Sequence, residues 1–113
     1  MNKHDPEVTL RQILFYAEEA VELSHGKTRH DLDQDRLLNL ALARLLELLG
    51  EAATRVPENI QAHYQGLPWQ QMIATRNRLI HGYDSVDFDI LWAIITNDLP
   101  DLIIHLKEIP GIA

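Results

Sequence analysis

The chain has 113 residues, no cysteine and a formal net charge of −7. That length suits one domain spanning residues 1–113 with its own core, and the missing thiols exclude disulfides, thiolate zinc sites and a cysteine nucleophile. The acidic balance excludes a protein that coats nucleic acid by bulk attraction, and neither a signal-peptide core nor a bilayer-length apolar run is seen, so a cytoplasmic protein without membrane contact is expected.

The first helix is expected to begin at Asp5-Pro6-Glu7, where aspartate can cap, proline suits the first helical position and glutamate complements the dipole. Leu10, Ile13, Leu14, Ala17, Ala20 and Val21 follow at helical spacing, and Gly26 is the expected stop. Lys27 to Asp33 reads as a polar connector. Its flanking His25 and His30 lack metal-site spacing and read as solvated loop residues.

A second helix is expected from Asp33 or Asp35 to Arg55, ahead of Pro57. Leu37, Leu38, Ala41, Leu42, Leu45, Leu48, Leu49 and Ala52 make it apolar over a wide arc, more than one neighbouring helix needs. That implies a central helix, or one that also faces another subunit. Arg44, Glu47, Glu51 and Arg55 form a narrow polar stripe, either a solvated ion-pair ladder or a set of groups that orient a site. Gly50 and Ala53 permit close helix approach.

Pro57 to Leu67 reads as a break with one short turn around Asn59 to Tyr64, after which Pro68 starts a further helix. Asp84-Ser85-Val86-Asp87 is rich in capping residues, and a last helix follows with Phe88, Leu91, Trp92, Ile95, Leu99, Leu102, Ile103 and Leu106 on its apolar side. Pro100 lies inside that pattern and should kink or divide the helix near Asn97-Asp98. No strand alternation, glycine-rich phosphate loop or repeat is present. The expected architecture is all-α, an antiparallel four-helix bundle with a kink or break in the last helix.

The chemistry concentrates in Arg76-Asn77-Arg78-Leu79-Ile80-His81-Gly82-Tyr83. A continuous helix through Ile80, capped by Gly82, would put His81 at the last helical position and stack it on Asn77. The negative end of the dipole would then raise the His81 pKa. Arginine is a fixed fork for phosphate oxygens, and histidine is the side chain best matched to proton transfer near neutrality. Together they suit phosphodiester cleavage or binding. The same residues also suit a solvated helix end.

Arg76-Asn77-x-x-x-His81-x-Tyr83 resembles the R-x4-H-x-Y motif of the HEPN superfamily, and the chain is similar to the HepT toxins of the HepT/MntA toxin–antitoxin systems. The likeness extends to Leu45–Ala53, to Leu67-Pro68-Trp69, to Val86-Asp87 and to Asn97-Asp98-Leu99-Pro100, covering roughly residues 8 to 108. It implies a metal-independent endoribonuclease acting on tRNA or mRNA in a type VII-like toxin–antitoxin system. Arg76 and His81 match the catalytic pair, and Asn77 matches the polar residue after the arginine. Tyr83 matches the tyrosine that a partner nucleotidyltransferase adenylylates to silence the toxin. ATP and Mg2+ would belong to that partner, and the chain itself needs no cofactor or metal.

Cleaving RNA needs a base, an acid and a cation for the phosphorane. One chain has one well-placed histidine, so a two-fold homodimer is expected to bring two motifs into one cleft. Glu51, in the family-like segment, is the candidate for orienting Arg76 or His81. The alternative is a non-catalytic module that uses the same cleft to dock a nucleotide or a nucleotidyltransferase.

Overall fold

The structure, a computed structural model, describes residues 5–81 and 85–113, with Ile80 and His81 described in backbone only. It is all-α apart from one two-residue ladder. Helix α1 spans Pro6–Ser24. The Asp5 side chain accepts from the Glu7 N–H at 2.9 Å, Pro6 occupies the first turn, and Gly26 takes a positive φ of 77° just past the end. Leu10, Ile13, Leu14, Ala17 and Ala20 are buried, as their spacing requires.

The connector after α1 contains a further helix, α2, at Arg29–Gln34. It departs from the loop expected there because Thr28 and Asp31 form a capping box, and because Leu32 is wholly buried. The Asp31 carboxylate accepts from the Thr28 backbone N–H at 2.7 Å, which with the Thr28 hydroxyl and nearby Lys27 and His30 lowers its pKa against the opposing pull of burial. The Asn39 amide, itself buried, donates to the Leu32 carbonyl at 2.9 Å and ties α2 to the next helix.

Helix α3 spans Arg36–Thr54 and is N-capped by Asp35, whose carboxylate accepts from the Leu38 N–H. It packs on α1 along most of its length, with Leu42, Leu46, Leu49, Ala52 and Ala53 at 0–2 % exposure. Leu37, expected on the apolar side, is 80 % exposed instead. It sits in the first turn of α3, where Leu38 and Asn39 are the residues turned inward. Arg44 reaches Glu47 at 3.5 Å and Glu51 at 3.8 Å, so the polar stripe forms an ion-pair ladder.

Helix α4 at Glu58–His63 is the short turn expected between Pro57 and Leu67. The segment after Pro68 is divided. Helix α5 spans Trp69–Ile73 and α6 spans Thr75–Leu79, with Ala74 between them at φ −80° and ψ −2°. Strands β1 (Ile80–His81) and β2 (Ser85–Val86) then pair antiparallel, Ile80 opposite Val86 and His81 opposite Ser85. The last helical region is α7 at Phe88–Ala93, a π-helical turn at Ile94–Asp98, and α8 at Leu99–Lys107 with Pro100 in its first turn. The interruption expected at Asn97-Asp98 is present, and it takes the form of that wide turn, which absorbs the hydrogen bond proline cannot make. No helix among the described residues is long and apolar enough to cross a membrane.

Candidate functional site

The motif segment is positioned from below by close packing on α3. A Cβ built on Gly50 would stand 3.0 Å from the Met72 carbonyl oxygen and 3.7 Å from the Thr75 Cβ. Only glycine lets the two backbones approach this way. Met72, Thr75 and Leu79 are 1–3 % exposed on this inner side. The buried Thr75 hydroxyl donates to the Gln71 carbonyl at 2.9 Å, a back-bond that favours a bent helix and coincides with the division at Ala74. Further back, the Trp69 indole N–H donates to the Tyr64 carbonyl at 3.0 Å and fixes where the segment starts.

The helix ends earlier than its spacing predicts. The Leu79 carbonyl accepts from the Asp87 N–H at 2.7 Å, a bond that closes the base of the 80–86 hairpin. His81 therefore lies on β1, not at a helical C-terminus. The helical register that the expected stacking on Asn77 and the dipole argument assumed ends at Leu79. The competing interaction is tertiary: the returning strand supplies an N–H to the carbonyl that a further helical turn would have used. Gly82, Tyr83 and the His81 imidazole lie outside the described residues, so the expectation of a Gly82 cap and the assignment of Tyr83 concern positions the structure does not describe.

Two arginines of the motif have different surroundings. Arg78 Nη1 lies 3.4 Å from Asp98 Oδ2, at the end of the π-helical turn, and each side chain is about one-third exposed. Arg78 and Asp98 also border a gap of about 20 Å³ with Leu46, Leu49, Met72 and Thr75, roughly the room one water needs. Arg76 is exposed and makes no hydrogen bond or ion pair with any described residue. Asn77 is exposed beside it. Ile73, the last residue of α5, is 38 % exposed. On α3, Leu37 and Leu40 are also exposed.

Glu51 pairs with Arg44, and no ion pair joins it to Arg76. Arg36 and Arg55 are exposed and, like Arg76, lack an ion-pair partner among the described residues, whereas Arg11, Arg29, Arg44 and Lys107 each have one. The guanidinium groups without a described ion-pair partner therefore lie at the two ends of α3 and in the motif segment. Among the described residues no group of three or more His, Asp or Glu is placed to hold a metal ion. The Arg78–Asp98 pairing was not readable from the sequence, since twenty residues separate the partners and nothing in either neighbourhood marks the other.

The family profile described as "Ribonuclease HepT-like" matches residues 13–109. A protein of Thermococcus cleftensis named "Probable ribonuclease HepT" is 35 % identical over 88 residues, 74 % of this chain and 80 % of its own length. One from Caldanaerobacter subterraneus subsp. tengcongensis is 33 % identical over 104 residues, 92 % of this chain and 93 % of its own. Another from Methanocaldococcus jannaschii is 31 % identical over 109 residues, 96 % and 90 %. Both of the latter carry the name "Putative RNase". No solved structure matches the chain.

Proposed function

Because the chain belongs to the HepT-like ribonucleases of the HEPN superfamily, we propose that it is a metal-independent endoribonuclease whose site forms between two copies of itself. The observation that carries the reading is Arg76: an exposed guanidinium without a carboxylate partner among the described residues, five residues before His81 and on a segment packed firmly on α3. An arginine left unpaired in so acidic a chain is available to an anion. Ile73 supplies exposed apolar area beside the motif, against which a second copy would bring its own motif alongside.

In this reading one His81 takes the proton from a ribose 2′-hydroxyl. The 2′-oxygen attacks phosphorus, and His81 of the second copy protonates the departing 5′-oxygen. Two Arg76 forks stabilise the phosphorane charge. The products are a 2′,3′-cyclic phosphate and a 5′-hydroxyl. Asn77 and Glu51 are the supporting residues. Tyr83 is the acceptor for AMP from a nucleotidyltransferase antitoxin that uses ATP and Mg2+, and the added charge and bulk beside His81 would keep RNA out. The chain would then be the toxin of a type VII-like pair in the cytoplasm, acting on tRNA or mRNA.

Incubation of the purified, unmodified protein with tRNA and mRNA in EDTA tests this, with His81→Ala alongside and its fold checked by circular dichroism. Cyclic-phosphate ends from the wild type, lost in His81→Ala, are the expected result. No cleavage of either RNA would instead support a non-catalytic module that docks a nucleotide or a nucleotidyltransferase.

A further inference from the structure

Arg29 sits at the first position of α2, where a cation opposes the helix dipole. A residue placed against its local preference needs partners elsewhere, and Arg29 has three. Its Nε lies 2.7 Å from Asp89 Oδ1, its Nη1 lies 3.2 Å from Asp33 Oδ1, and its guanidinium carbon stands 5.7 Å from the centre of the Phe88 ring. The hydrogen bond to Asp89, and after it the one to Asp33, raises the pKa of the guanidinium.

The position of these partners gives the contact its meaning. Phe88 and Asp89 open α7, directly after Asp87. The Asp87 N–H closes the hairpin base on the Leu79 carbonyl, and its carboxylate accepts from the N–H groups of Asp89 and Ile90. Three consecutive residues thus join the 80–86 hairpin to Arg29. On the other side Arg29 is part of a well-seated element, through the buried Leu32 and the Asn39–Leu32 hydrogen bond. Strand β1, which carries the His81 backbone, pairs with β2 over two residues, a ladder too short to be rigid alone.

We propose that Arg29 is a positioning residue for the site: by gripping Asp89 and Phe88 it fixes the base of the β1–β2 ladder against α2 and so sets where the His81 backbone stands. The inference rests on the reading of His81 as a reacting residue. Arginine is needed because one planar group serves two carboxylates and a ring face, which a lysine ammonium cannot do at once.

The test compares wild type with Arg29→Ala, Arg29→Lys and Asp89→Asn by hydrogen exchange of the 80–90 region and by RNA cleavage kinetics. Exchange at Val86 and Asp87 is expected to quicken about 10-fold in Arg29→Ala, while the melting temperature stays close to wild type, as a local opening would give. In the same variant kcat is expected to fall about 10-fold with KM unchanged, since misplaced reacting groups cost turnover more than binding. Arg29→Lys should recover part of both losses, and Asp89→Asn should resemble Arg29→Ala. Unchanged exchange in a folded Arg29→Ala would overturn the proposal, as would faster exchange with kcat intact. If the wild type cleaves no RNA, the ribonuclease reading fails separately, and faster hairpin exchange in Arg29→Ala still supports the grip.

Discussion

The two sides of the segment from Trp69 to Leu79 contrast in how completely their groups are engaged. On the inner side Met72, Thr75 and Leu79 are almost wholly buried against α3, the Thr75 hydroxyl is bonded, and Arg78 meets Asp98. On the outer side Ile73, Arg76 and Asn77 face solvent, and Arg76 has no ion-pair partner among the described residues. The difference shows how one short helical segment can hold a cation's backbone still and yet leave its side chain exposed. Packing fixes the backbone, one arginine is spent on a carboxylate, and the other is left for a ligand.

The contrast is broken most severely from below. Leu46→Ala removes a wholly buried side chain beside Met72 and Thr75 and should cost about 2–5 kcal/mol in urea unfolding. Gly50→Ala places a methyl group against the Met72 carbonyl and should cost about 1–3 kcal/mol. It should also reduce RNA cleavage per folded molecule, measured at a temperature where the variant is fully folded, because the motif segment must shift. Asp87→Ala removes the α7 cap and should cost about 1 kcal/mol, read by chemical denaturation. Glu51→Gln touches only an exposed ladder and should change stability by less than about 0.5 kcal/mol, which makes any loss of cleavage in it a sign of a role at the site.

A smaller effect should follow acidification. The Asp31 pKa is lowered in the fold, mainly by the Thr28 backbone N–H. Its stabilisation of α2 is therefore complete above the ordinary aspartate pKa and is lost as pH falls through the depressed folded value. A pH series of Asp31→Asn against wild type checks the sign: the two should converge in acid and separate toward neutrality.

Much of this arrangement was legible in the sequence where local chemistry decides it. Asp5-Pro6 and Gly26 bound α1, the apolar spacing of α3 names part of its buried side (Leu38, Leu42, Leu45, Leu49 and Ala52) but not Leu46, and Pro100 marks the interruption before α8. Gly50 was readable as a point of close approach. What escaped depends on contacts distant in sequence. The end of α6 is set by Asp87 reaching back to Leu79, so a pattern that continues through Ile80 could not reveal it. Helix α2 carries a capping-box signal at Thr28 and Asp31 but one buried apolar residue, too little to stand out from a polar loop. The Asp98 partner of Arg78 and the Asp89 partner of Arg29 lie twenty and sixty residues away, and no spacing rule reaches that far.

The division of labour between the two arginines is tested most directly by Arg76→Ala and Arg78→Ala, each assayed for RNA cleavage in EDTA and for thermal unfolding. Arg76→Ala should lose about 100-fold or more in cleavage, the scale of one lost charge-stabilising donor, with unfolding unchanged. Arg78→Ala should lower the unfolding temperature modestly, as an ion pair about one-third exposed and worth about 0.2–1 kcal/mol would, and keep cleavage within a few-fold of wild type. Cleavage that survives Arg76→Ala but disappears in a folded Arg78→Ala would contradict the account, because the guanidinium held by Asp98 would then be the one that RNA needs.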